Sequence, residues 1–107
     1  MLTITAEQTP TADNPHGVDI RHLYATPLVA ASQFTLAPGD VVKPHKAPVD
    51  VFFYVLEGTP VIEIEGETAE TAPGTLVPSK AGHLHSVRNE SDARVRFLVV
   101  RTPNPNA

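Results

Sequence analysis

Apolar and polar residues alternate along most of this chain in short runs, and turn-forming residues cut nearly every run. Ala30 to Leu36 sets Ser32, Phe34 and Leu36 against Gln33 and Thr35, the period-2 pattern of a half-buried strand. Val61 to Glu65 puts Ile62 and Ile64 inward and Glu63 and Glu65 outward, and Arg94 to Arg101 puts Val95, Phe97 and Val99 inward. Shorter strands are predicted over Val18 to Tyr24, Thr68 to Thr71, Thr75 to Pro78 and Leu84 to Arg88. Asp50 to Glu57 (DVFFYVLE) is the strongest of all, and both its faces are apolar: Val51, Phe53 and Val55 on one, Phe52, Tyr54 and Leu56 on the other. In an antiparallel sheet such a strand needs a second cover. Either an N-terminal arm or another subunit could supply it.

Turn chemistry separates these runs at Ala37-Pro38-Gly39-Asp40, at a Gly66-Glu67 hairpin, at Ala72-Pro73-Gly74 and over Asn89 to Asp92. The first 17 residues carry three turn-prone spots (Thr9-Pro10, Asp13-Asn14-Pro15 and His16-Gly17) and read as an arm over the barrel, with a short strand at Leu2 to Thr5. Eleven prolines in 107 residues is about twice the usual ~5%. Few stretches longer than ten residues escape Pro or Gly, and helices need that length where strands do not. The prediction is a single all-β domain over residues 1–107, a sandwich or barrel of about eight to ten strands, with a loose TPNPNA tail.

Composition narrows the function classes. A net charge of −4 and scattered Lys and Arg argue against nucleic acid. No apolar run approaches the roughly 18 residues of a membrane helix. The start of the chain shows no basic-then-apolar secretory pattern. The absence of Cys excludes disulfides and thiolate metal sites and fits a cytoplasmic location.

Two spaced motifs resemble those of the cupin superfamily. The first, in that family, is Gly, five residues, His, one residue, His, three residues, Glu, six residues, Gly; here Gly39 is followed by DVVKP and His45, and YVLEG closes the motif at Gly58. The second is Gly, five residues, Pro, one residue, Gly, two residues, His, three residues, Asn; here Gly74, Gly82, His85 and Asn89 match, and Lys80 replaces the Pro. The motifs span residues 39–58 and 74–89. The resemblance implies an antiparallel double-stranded β-helix, the jelly-roll barrel of small single-domain cupins, with dimers frequent among its members.

The departures bear on chemistry. Metal-binding cupins hold a divalent ion with two His and one Glu of the first motif and the His of the second. Here the second His position is Ala47 and the Glu position is Val51, which leaves His45 and His85. His83, two residues before His85, could share its strand face and complete a three-His site, or could sit in the preceding loop. Asp50 is a weaker candidate: it falls one residue early and needs a bulge to turn inward, or is simply a turn residue. Ala47, Val51, Phe53 and Phe97 are the expected pocket wall, with plain core as the alternative for the two phenylalanines. His16 and His22 read as surface residues. Imidazole ligands point to Zn, Ni, Fe or Cu rather than Ca or Mg.

Two functions follow. One is a binding module that holds a small molecule in the barrel pocket, with weak divalent metal binding. The other is a metal-dependent cupin enzyme of dioxygenase, isomerase or lyase type, against which counts the missing carboxylate at position 51. No Ser-His-Asp arrangement is legible. A homodimer through sheet faces, with the arm before Val18 involved, is the expected assembly.

Overall fold

The computed structural model describes all of residues 1–107 and contains nine strands and no helix. They are β1 (Asp19–Thr26), β2 (Val29–Leu36), β3 (Val41–Lys46), β4 (Asp50–Glu57), β5 (Val61–Ile64), β6 (Glu67–Glu70), β7 (Leu76–Ser79), β8 (Leu84–Arg88) and β9 (Val95–Thr102). Two antiparallel sheets face each other, one ordered β1-β2-β9-β4-β7 and the other β3-β8-β5-β6. This is the double-stranded β-helix.

The alternation read from the chain builds the core. Phe34 and Leu36 of β2, Val51, Phe53 and Val55 of β4, Ile62 of β5, Val87 of β8 and Val95, Phe97 and Val99 of β9 all fall in one buried cluster. Phe97 touches both Phe34 and Phe53, with ring centroids 5.3 and 6.1 Å away. The turns hold the edges. Glu65 and Gly66 both have positive φ, 50° and 84°, and link the paired residues Ile64 and Glu67. That backbone is a type I′ hairpin, whose twist suits the strands it joins. The turn therefore lies one residue earlier than Gly66-Glu67. Gly58 is fixed by crowding: a Cβ there would lie 2.6 Å from the Arg94 carbonyl oxygen, at a φ of 78°.

One expected strand is absent and one strand was not expected. Leu2 to Thr5 forms no strand. The arm passes β1 with one ladder-like bond, Ala12 N–H to the Ile20 carbonyl, and the Arg21 guanidinium binds the Ala6 and Thr9 carbonyls. The cation thus ties the turn after this segment, at Ala6 to Thr9, to β1. Conversely, nothing in the alternation predicts β3. Its sequence VVKPHK lacks a clean rhythm and contains Pro44. It lies at the edge of its sheet, where a missing N–H costs no ladder bond.

The outer face of the five-stranded sheet stays apolar. Ladder pairs align Tyr24, Ala31, Val100, Phe52 and Pro78 in one row and Leu98, Tyr54 and Leu76 in the next. Tyr54, Leu56 and Leu76 are 36, 42 and 52% exposed, so the arm does not cover them. No helix is long and apolar enough to cross a membrane.

Candidate functional site

One end of the barrel gathers the polar residues. There Ala30, Arg101, Val51 and Ser79 lie in register across β2, β9, β4 and β7. On the facing sheet, His45, His85, Ile64 and Glu67 lie in register across β3, β8, β5 and β6. The register brings His45 and His85 side by side, and their Nε2 atoms are 3.2 Å apart.

The hydrogen bonds assign the tautomers. The Lys43 carbonyl can only accept, so His45 Nδ1–H donates to it at 2.8 Å. Neutral His45 then presents a lone pair at Nε2, and His85 Nε2–H donates into it. His85 Nδ1 in turn accepts the Ser79 hydroxyl at 2.9 Å. The result is a relay from Ser79 through two rings to a main-chain carbonyl.

His85 is 3% exposed and packs edge-on against Phe53, with centroids 5.2 Å apart. Burial, then the neighbouring His45 and Arg101 charges, lower its pKa to about 4. His16 joins from the arm. It accepts the Lys43 N–H at Nδ1, 2.9 Å away, and its ring lies 5.2 Å from that of His45. Burial first, then His45 and Lys43, push its pKa down as well. His16 is thus half-buried beside the pair rather than a free surface residue.

The remaining candidates are placed apart. His83 precedes β8 and donates its N–H to the Lys80 carbonyl in a turn, so the strand-face spacing with His85 does not apply. Its ring lines a separate cleft. Asp50 accepts the Ala81 N–H and stays exposed, which makes it a turn clasp. Ala47, Val51, Phe53 and Phe97 all fall in the buried core cluster. Sequence reading missed Ser79, Arg101 and His16. The inward parity of Arg101 after Val95, Phe97 and Val99 was the available signal for one of them.

The donor set bears on a metal. Two nitrogens each about 2.1 Å from one ion stand close to the spacing observed here. No group of three His, Asp or Glu side chains is placed to hold an ion, so the three-His centre with His83 does not form. What exists is a pair of imidazoles in hydrogen-bond contact.

Two cavities lie apart from the pair, and neither is lined by His45 or His85. A cleft of about 380 Å³ between β5–β6 and β7 is lined by Ile62, Ile64, Val77, Pro78 and His83, with Glu65, Glu67 and Thr68 at its rim. A smaller cavity of about 220 Å³ lies on the other side, against Arg101.

Because the unfolded chain protonates His85 near pH 6.5 and the folded chain only near 4, the unfolded state binds more protons between those values. Stability should therefore be full above pH 6.5 and fall as pH drops toward 4, by up to about 3 kcal/mol. Denaturant unfolding across that range is the measurement. His85→Gln should flatten the slope.

Comparison with known proteins agrees with this architecture. The family model described as Cupin domain matches residues 32–101. No curated protein matches the chain. Among solved structures, TT1209 from Thermus thermophilus is 33% identical, with a TM-score of 0.78 over 84% of this chain and 87% of that one. A predicted oxalate decarboxylase from Thermotoga maritima is 21% identical, with a TM-score of 0.84 over 96% of this chain and 100% of that one. The polyketide cyclase RemF from Streptomyces resistomycificus is 22% identical, with a TM-score of 0.84 over 97% of this chain and 80% of that one. The last two likenesses speak for the fold alone, and their differing activities leave function to the site. The match over residues 32–101, both spaced motifs and the two facing sheets make this chain a member of the cupin superfamily.

Proposed function

We propose that this cupin is a small-molecule-binding module whose ligand enters the cleft between β5–β6 and β7. The observation that carries this reading is the cleft itself. Its volume of about 380 Å³ falls in the range of small-ligand sites. Ile62, Ile64 and Val77 provide an apolar floor, and His83, Thr68 and the two glutamates provide polar groups at the rim. It opens between β6 and β7, which pair with no strand at that seam. An enzyme reading is the weaker one, since Val51 stands where the family has a carboxylate and Asp50 is engaged by Ala81. Neutral aromatic and aliphatic fragments should shift the methyl signals of Ile62, Ile64 and Val77 in an NMR titration. Ile64→Trp should fill the cleft and remove those shifts. Methyl signals that no fragment moves would count against the reading.

The spacing of the two imidazoles favours a second, compatible property. His45 and His85 are two ligands for a borderline divalent ion, which would sit between their Nε2 atoms with the His85 proton moved to Nδ1, where the Ser79 oxygen would accept it. Two protein donors hold such an ion weakly. Calorimetric titration with Zn²⁺ should show about one modest site per chain, lost in His85→Ala and kept in His83→Ala.

The apolar outer face supports a homodimer. Tyr54, Leu56 and Leu76 remain exposed beside half-buried Phe52, and the chain's own arm lies over β1 instead. Each large side chain covered contributes roughly 1.5–3 kcal/mol, and two-fold pairing of one face with itself is the commonest closed arrangement. Light scattering should give about twice the 11.5 kDa chain mass, and Tyr54→Glu combined with Leu76→Glu should return it to the monomer value.

A further inference from the structure

Arg101 is a cation without an anion. It is the last inward-facing residue of β9, paired with Ala30 on one side and Val51 on the other. The protein's ion pairs engage Arg21, Arg88 and Arg94, and Arg101 takes part in none. Position 51, its ladder neighbour, is the one where the cupin motif carries a carboxylate, and here it is valine. Burial alone accounts for the lowering of the Arg101 pKa, with no acid to oppose it.

The cavity of about 220 Å³ that Arg101 lines holds further donors and no acid among its nine lining residues. His22 and Ser32 lie in register on β1 and β2 and are bonded through Nδ1 and Oγ at 2.8 Å. His22 Nε2 has no partner within the protein. Asn104 is held by its N–H on the Pro27 carbonyl and spends its Oδ1 on the Asn106 N–H, which leaves its Nδ2–H₂ unpaired. The larger hollow beneath the arm makes the contrast. It also contains arginines, but carboxylates share it: Glu7 and Asp19 line it, Asp19 engages Arg21, Glu57 engages Arg94, and Arg96 is the one arginine there outside an ion pair.

We propose that the cavity beside Arg101 is an anion site that takes a small carboxylate, with the guanidinium as its anchor and His22 and Asn104 as side donors. A guanidinium fork matches the two oxygens of a carboxylate in plane. One fixed positive charge balances a monoanion and leaves a dianionic phosphate uncompensated. The size admits a small carboxylate such as acetate or benzoate. The site is separate from the cleft lined by Ile64 and Val77 and stands without it.

An NMR titration of the full chain with acetate, benzoate and inorganic phosphate at neutral pH tests this. The expected result is saturable shifts at the Arg101 Nε–H, the His22 ring and the Asn104 amide with a carboxylate, and weaker binding of phosphate. Arg101→Gln should weaken carboxylate binding roughly tenfold or more, and Arg94→Gln should leave it unchanged. Asn104→Leu, outside every strand, gives a second readout that does not depend on the barrel and should also weaken binding. No saturable shift in the unaltered protein would overturn the proposal. So would unchanged affinity in Arg101→Gln, or tighter binding of phosphate than of either carboxylate. Shifts confined to Ile62, Ile64 and Val77 would overturn it while upholding the cleft.

Discussion

The contact between Phe53 and His85 is the hinge of this molecule's chemistry. It sits where a hydrocarbon core gives way to a polar rim, and a ring that can carry a proton lies edge-on against one that cannot. Keeping that imidazole neutral in an apolar wall requires hydrogen bonds at both nitrogens, because an unpaired buried polar atom costs about 1–3 kcal/mol. Ser79 and His45 provide them. From this follow the tautomers, the orientation of His45 toward the interior and the anchoring of its far nitrogen on Lys43. Six rings then run in contact from core to surface: Phe34, Phe97, Phe53, His85, His45 and His16.

Two substitutions relative to the family pattern reshape the rim. Ala47 and Val51 stand at ligand positions and pack as core. Their hydrocarbon replaces a nitrogen and a carboxylate, so the interior loses negative charge as well as donors. The same change leaves Arg101 opposite a methyl group rather than an acid.

Much of the fold was legible because period-2 alternation is a direct image of burial. Val51, Phe53, Val55, Val95, Phe97 and Val99 all lie on the side their parity assigns. β3 was illegible for the opposite reason: an edge strand carrying Lys43, Pro44 and Lys46 needs no apolar rhythm. The site was half legible. His45 and His85 meet because two strands pair in one register, which motif spacing anticipates. Ser79 reaches His85 across the gap between sheets, and His16 reaches His45 from the arm. Such contacts depend on how the layers close, which local sequence does not encode.

The end of the barrel remote from His85 is drawn shut by Asn89, 1% exposed. Its Nδ2 donates to the Leu36 and Ala93 carbonyls, its Oδ1 accepts from Ser91, and its main chain is bonded to Gly39 and Asp40. One side chain thus rivets the β2–β3 crossover to the β8–β9 turn. A purse tied at one end opens only at the other. Local opening is easier at the unpaired edges of β6 and β7 than at the end that Asn89 ties.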